Sequence, residues 1–171
     1  MKLLIAYTSK NGVAKRCAEM LEKTLSKTAN IDVVDLLVNT PDPSEYDAVV
    51  LGGSIRFGSF NKKLKVFLKN NKEKLTALPC AVYICCGLPH RYDEYAEIVL
   101  PRKFYPSLGV HHFGGELKPE RVKGFDKMVI KSVRASITNA DFENNNNQEL
   151  SLPEIIPENI NLLAEELKKL Q

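Results

Sequence analysis

Between an apolar run, Leu3 to Tyr7, and an amphipathic run opening at Val13 lies the segment Thr8-Ser9-Lys10-Asn11-Gly12-Val13-Ala14. Its residue types suit the capture of an anion. Hydroxyls of Thr8 and Ser9 and the amide of Asn11 offer hydrogen-bond donors, Lys10 offers charge, and Gly12 lets the backbone approach closely. In a parallel α/β sheet such a loop sits at the carboxyl end of a strand, where ligands bind. The helix N-terminus behind it, with its free amides at Val13 and Ala14, is a phosphate site in outline. The segment matches neither G-x-G-x-x-G nor G-x-x-x-x-G-K-S/T, so the dinucleotide and Walker fingerprints do not apply. A plain strand-to-helix turn with Ser9 or Asn11 as N-cap also fits these residues.

A second loop, Ser54-Ile55-Arg56-Phe57-Gly58, follows another apolar run. An aromatic such as Phe57 suits stacking on a flat ring, and Arg56 suits a carboxylate or another anion through charge-assisted hydrogen bonds. The plainer alternatives are a partly buried loop anchor for Phe57 and a surface ion pair with Asp or Glu for Arg56. A third loop runs Cys86-Gly87-Leu88-Pro89-His90-Arg91-Tyr92. There Gly87 permits close approach, and Tyr92 or His90 offers a ring. His111 and His112 are consecutive at a strand start, so their side chains point to opposite faces and do not share a metal. Cys17, Cys80, Cys85 and Cys86 contain no C-x-x-C spacing. Without an export signal the expectation is reduced thiols in a cytoplasmic protein, with Cys85-Cys86 serving as buried packing or, as the sharper alternative, as a redox thiol, although nothing visible lowers its pKa.

These loops need strands and helices to hold them. Apolar runs without helical or alternating period mark buried strands: Leu3 to Tyr7, Ile31 to Leu36, Ala48 to Gly53, Cys80 to Cys86, and Val110 to Leu117. Val13, Cys17, Met20, Leu21 and Leu25 share one helix face. Leu64, Phe67 and Leu68 repeat that pattern over a shorter stretch. Tyr95, Ala96, Val99 and Leu100 predict a helix stopped by Pro101. Val122, Phe125, Met128, Val129 and Val133 predict another, and Ile160 to Leu170 a last one opened near Pro157. Strands alternating with helices indicate a parallel sheet covered on both faces, a three-layer α/β/α domain. The Pro- and Asp-rich link from Asn39 to Tyr46 is too short for a crossover helix and predicts a loop or single turn. The expectation is one domain over 1–171, with a basic segment and a flexible Asn-rich loop at 118–150.

Charge divides the chain. Its 171 residues carry a formal net charge of +3. Residues 1–137 hold 22 basic and 14 acidic residues, a net of +8, whereas 138–166 hold seven acids and no Lys or Arg. The segment Lys118 to Arg134 has six basic and two acidic residues, with Lys127, Lys131 and Arg134 on one helix face. A basic body points to anionic small molecules, anionic lipid or nucleic acid. The last is excluded because no helix-turn-helix, zinc or RNP pattern is present. A hydrophobic fraction of 44% excludes whole-chain disorder.

Tyr7-x-Ser9-x-x-Gly12, followed by Ala18 and Leu21, resembles the phosphate loop of the flavodoxin family, with Ala14 standing where that pattern has a Thr. Asp47-x-Val49-Val50-x-Gly52-x-Ser54-Ile55-Arg56-Phe57-Gly58 is similar to the same segment of the flavodoxin-like, menaquinone-dependent protoporphyrinogen IX dehydrogenases. The likeness continues through Phe60 to Asn70, Pro79-x-Ala81-x-Tyr83, Gly114-Gly115-x-Leu117 and Phe125 to Lys131. It implies a flavodoxin-like fold with a five-stranded parallel sheet in the order 2-1-3-4-5, and FMN as cofactor. It places the phosphate on Thr8, Ser9, Lys10, Asn11, Gly12, Val13 and Ala14. It places the ring on Ser54, Ile55, Arg56, Phe57 and Gly58, with Cys86, Gly87, Leu88, His90 and Tyr92 on its other side. The implied enzyme is an oxidoreductase whose chemistry belongs to the flavin, with a small-molecule substrate, a quinone as acceptor, and peripheral contact with the anionic inner face of the cell membrane. Two alternatives stay open: an electron-carrier flavodoxin, disfavoured by the +8 body because such shuttles are acidic, and a flavodoxin-fold module whose FMN binding is weakened or lost.

Overall fold

The computed structural model describes residues 1–87, 91–116 and 154–170. The predicted helix Val122 to Val133, the basic run, the Asn-rich tract, Leu88 and His90 lie outside the described residues. The apolar runs become strands β1 (Lys2–Thr8), β2 (Asn30–Asp35), β3 (Ala48–Ser54), β4 (Cys80–Cys85) and β5 (Val110–His112). All pair in parallel, in the order β2-β1-β3-β4-β5. This is the doubly wound order predicted above, and its switch point lies between β1 and β3.

The pleat sends alternate residues to two cores. Leu3, Ile5, Val50, Ala81 and Tyr83 pack on one face with α1 (Val13–Leu25) and with the C-terminal helix Pro157–Lys168. Leu4, Ala6, Val49, Leu51, Val82 and Ile84 pack on the other, against α2 (Lys62–Asn70), α3 (Lys72–Ala77) and α4 (Tyr92–Ile98). The C-terminal helix is α5 among the described residues. Val13, Cys17, Leu21 and Leu25 are buried along α1 as the periodicity requires. The Asn39–Tyr46 link contains a single 3-10 turn, Pro43–Glu45, capped by the Asp42 side chain accepting from Ser44 N.

Three boundaries differ from expectation. α3 was not anticipated, because a single buried residue, Leu75, is all that marks its core face. α4 runs Tyr92–Ile98 rather than Tyr95 to Leu100. β5 stops at His112 instead of continuing to 117. Gly114 has φ of 75°, and a Cβ there would lie 2.0 Å from Glu154 O; a Cβ on Gly115 would lie 2.5 Å from Cys86 C. The glycine pair therefore lets the returning chain press in. Gly115 N donates to Glu154 O, and Ile156 N donates to Phe113 O.

One glycine controls a close crossing. A Cβ on Gly52 would fall 1.8 Å from Tyr83 Cζ. Because β3 is bare there, the fully buried Tyr83 ring leans from β4 across β3, and its hydroxyl donates to Ala14 O at 2.8 Å. Gly52→Ala is expected to lower stability by about 1–3 kcal/mol, as other overpacked cores do. Denaturant unfolding checks this, and the loss should shrink in a Tyr83→Ala background, where the clashing ring is gone.

Candidate functional site

The carboxyl ends of β1 and β3 are adjacent in the sheet, so their two loops face one cleft. Thr8, Ser9, Lys10, Ser54, Arg56, Phe57, Ser59, Phe60 and Asn61 line it and enclose about 180 Å³. Six of these were singled out from sequence. Ser59, Phe60 and Asn61 were not. The one available signal was Asn61, an N-cap type one residue before a helical pattern; its Oδ1 accepts from Lys63 N.

The first loop is not the N-capped turn that was its plainer alternative. The N-cap of α1 is Gly12, at φ 85° and ψ −8°, and no side chain caps the helix. The first intrahelical bond is Arg16 N to Gly12 O, so the amides of the first turn point out of the helix without intrahelical acceptors. Gly12 is there for its left-handed conformation, since a Cβ would meet nothing within 4 Å. Around this end, Thr8 Oγ1, Ser9 Oγ and Asn11 Oδ1 are buried with no hydrogen-bond partner among the described residues. The Asn11 amide meets an anion through its nitrogen when it turns about its Cβ–Cγ bond. Buried hydroxyls without partners cost about 1–3 kcal/mol each, and such a cluster is what a tetrahedral anion would satisfy. The Val13 and Ala14 side chains are 3% and 0% exposed and belong to the α1 core face. These two residues can offer the cleft only their main chain.

The second loop is a two-residue hairpin. Arg56 N donates to Ser59 O, and Ser59 N to Arg56 O. The two residues between them both have positive φ, 50° at Phe57 and 74° at Gly58, the signature of a type I′ turn. Glycine suits this; phenylalanine does not. Phe57 is nonetheless 73% exposed, so it is no buried anchor. The Arg56 guanidinium lies over its ring, 5.7 Å from the centroid. Ile55 N reaches β4 at Cys85 O, which fixes the base of the loop.

The third loop is only partly described. Cys86 is buried, and its N donates to Gly114 O. Tyr92 is not among the residues lining the cleft. Its hydroxyl donates to Val110 O, its ring stacks on His112 at 4.6 Å, and burial pushes its pKa up to about 12. The two histidines diverge as expected from strand geometry: His111 bonds to Leu108 O and lies 3.8 Å from Glu166, while His112 faces Tyr92, where burial lowers its pKa. The cysteine thiols are packing. Cys17 and Cys85 touch at 3.6 Å in the core, and the Cys17 contact together with burial holds the Cys85 thiol well above its usual pKa. Burial alone pushes Cys80 to about 12. Such thiols are poor nucleophiles. Among the described residues no group of three His, Cys, Asp or Glu is placed to hold a metal ion, and no helix is long and apolar enough to cross a membrane.

A family profile described as flavodoxin domain matches residues 4–145. The chain belongs to the flavodoxin domain family. Two relatives share its length in large part. It is 25% identical over 142 residues to protoporphyrinogen IX dehydrogenase (quinone) of Escherichia coli K12, covering 78% of each chain. It is 28% identical over 143 residues to the protein of the same name from Leishmania major, covering 77% of this chain and 62% of that one. Among solved structures it is similar to oxidised Flavodoxin 1 from Bacillus cereus, with 20% identity, a TM-score of 0.44, and coverage of 59% and 78%. Membership of the flavodoxin domain family and likeness to those two dehydrogenases support a flavoprotein oxidoreductase.

The strained hairpin gives a direct test. A left-handed conformation costs a non-glycine residue about 1–2 kcal/mol, part of which glycine returns through its own chain entropy. Phe57→Gly is therefore expected to leave the unliganded protein as stable, or more stable by up to about 1 kcal/mol. Thermal unfolding without ligand checks it; a clear loss of stability would show that the ring is structural.

Proposed function

We propose that this flavodoxin-family chain binds FMN in the cleft between the β1 and β3 loops and is a dehydrogenase that passes electrons from a small reduced molecule of the protoporphyrinogen class to a quinone. The observation that carries the reading is the unpartnered cluster of Thr8, Ser9 and Asn11 around the uncapped start of α1, set in the same cleft as the exposed ring of Phe57. An anionic end and an aromatic end in one cleft fit a molecule with a phosphate and a flat ring. FMN supplies hydride acceptance and return, so no side-chain nucleophile or metal is required.

The residues have distinct tasks. Thr8, Ser9 and Asn11, with the first-turn amides after Gly12, donate to the phosphate, and Lys10 at the rim neutralises it. The Thr hydroxyl missing at Ala14 is one donor among several, which weakens the hold without ending it. Phe57 covers the ring, and main-chain groups from Ser54 to Gly58 meet its polar edge. Cys86, Gly87, Leu88, His90 and Tyr92 stay with the reading as the other side of the ring; for Tyr92 its bond to Val110 argues against a direct contact. Arg56 places a cation at the mouth, where a propionate side chain of the substrate would arrive. We also infer that residues 1–171 act as a single domain, since both described cores share one sheet. A lipid-soluble quinone as acceptor would bring the protein to a membrane surface.

FMN titration followed by flavin fluorescence should show saturable binding with Kd below about 10 μM, an affinity of roughly 7 kcal/mol. Ser9→Ala should weaken it about fivefold, the worth of one hydrogen bond. Phe57→Ala should weaken FMN more than it changes the stability of the FMN-free protein. In the FMN-loaded protein, anaerobic oxidation of protoporphyrinogen with a menaquinone analogue should proceed through many turnovers. Saturable FMN binding without turnover would make the chain an electron carrier or another reductase; no saturable binding at tens of micromolar would favour a module that has lost its cofactor.

A further inference from the structure

Helix α2 starts at the rim of the cleft and carries a face that nothing in the described structure covers. Its nine residues contain Lys62, Lys63, Lys65 and Lys69 and no acid. Leu64, Phe67 and Leu68 are buried against the sheet. Lys62, Lys65, Val66 and Lys69 form an exposed stripe at i, i+3, i+4 and i+7. Several cations elsewhere have carboxylate partners: Lys74 with Asp42, Lys15 with Glu19, Arg91 with Glu94, Lys168 with Glu165. Among the described residues no carboxylate pairs with any of the four α2 lysines. Like charges three and four residues apart repel one another and destabilise a helix, so an anionic surface laid against this face is favoured beyond the screening that salt provides.

Position and apolar content say what that is. Ser59, Phe60 and Asn61, immediately before α2, line the cleft, and Lys65 Nζ donates to Ser59 Oγ at 3.1 Å. The lysine stripe thus adjoins the cleft mouth. Val66 stands in its middle, 45% exposed, and the Phe57 hairpin projects at its end, 73% exposed. Apolar side chains projecting among lysines, with no acid between them, match an anionic bilayer interface, where lysines meet headgroups and apolar groups enter the acyl boundary.

We propose that the outer face of α2, with Lys62, Lys65, Val66 and Lys69, docks the protein on an anionic phospholipid bilayer and so presents the cleft mouth to an acceptor dissolved there. The acceptor part of this statement rests on the functional reading above; the docking part does not. Each lysine near an anionic surface contributes about fivefold in partitioning.

The test is flotation of the full chain with vesicles of phosphatidylglycerol and phosphatidylcholine, against vesicles of phosphatidylcholine alone. Wild type should float with the anionic vesicles and not with the neutral ones. Lys62→Gln/Lys69→Gln should partition about 25-fold more weakly. Lys23→Gln/Lys27→Gln, the same charge change near the end of α1 on the other side of the sheet, should change partitioning less than about threefold. Equal losses in the two pairs would overturn the proposal in favour of diffuse attraction. So would absence of flotation with anionic vesicles, including the case where the chain binds polyglutamate instead, which would indicate an acidic protein partner. Turnover with a water-soluble short-chain quinone is measured separately. If it persists while vesicle binding is absent, the docking face alone is wrong. If α2-dependent flotation is seen and no quinone is reduced, the docking face stands and the assignment of acceptor falls.

Discussion

A side chain missing from β3 holds the working end of this molecule together. At Gly52 the sheet is bare, and the Tyr83 ring passes over it from β4 to bond with Ala14 O at the start of α1. Phe113 stacks against the same ring at 4.7 Å, while its backbone bonds to Ile84 and Ile156. One buried aromatic therefore ties the first helix, three strands and the returning C-terminal segment into a single packed unit. The loop from Thr8 to Gly12 is fixed at both ends, by β1 in the middle of the sheet and by α1 pinned through Tyr83.

A loop held that firmly can keep arrangements that a free chain would relax away. Three local rules are broken in this one cleft. Hydroxyls of Thr8 and Ser9 are buried without partners, α1 begins without a side-chain cap, and a phenylalanine occupies a left-handed position in full view of solvent. The buried hydroxyls and the left-handed phenylalanine each cost on the order of 1–2 kcal/mol, and the missing cap about a few tenths because glycine stands there. Sites where local preference is overruled by the surrounding fold are where binding groups are kept ready. Their meeting in one cleft at the carboxyl ends of β1 and β3 is why that cleft, rather than the buried thiols or the two histidines, carries the functional reading.

Electrostatics follows the same layout. Lys10 and Arg56 stand at the cleft, and none of the residues lining it is acidic. The basic stripe of α2 continues from its rim. On the opposite side Arg16, in the first turns of α1, is paired at 2.7 Å with the largely buried Glu116 just beyond β5. That pair is spent on holding the fold, whereas the α2 lysines are not. The described cations therefore include paired structural ones and, next to the site, four α2 lysines with no carboxylate partner among the described residues.

Much was legible in the residues themselves. Apolar runs marked β1, β3 and β4 and, more weakly, β2, which Asp32 and Asp35 interrupt, and β5, which holds two histidines; the spacing from Val13 to Leu25 marked α1 and its buried face, and hydroxyl, amide, lysine and glycine residues in one short loop marked anion capture. The 2-1-3-4-5 order came with the family resemblance carried by Tyr7 to Gly12 and Asp47 to Gly58. These are local properties, set by backbone periodicity and by the chemistry of neighbouring side chains. What the chain could not disclose is which distant groups meet. Ser59, Phe60 and Asn61 join Thr8 and Ser9 only because β1 and β3 lie side by side. Tyr92 turns to His112 and Val110, and β5 ends early because a returning segment presses on Gly114 and Gly115. Ser9 and Asn11 could have capped α1, and only the packed structure shows that they do not. Periodicity reports which face of an element is buried; the partner across that face is chosen by the crossover order and by close packing, and these exist only in the folded chain.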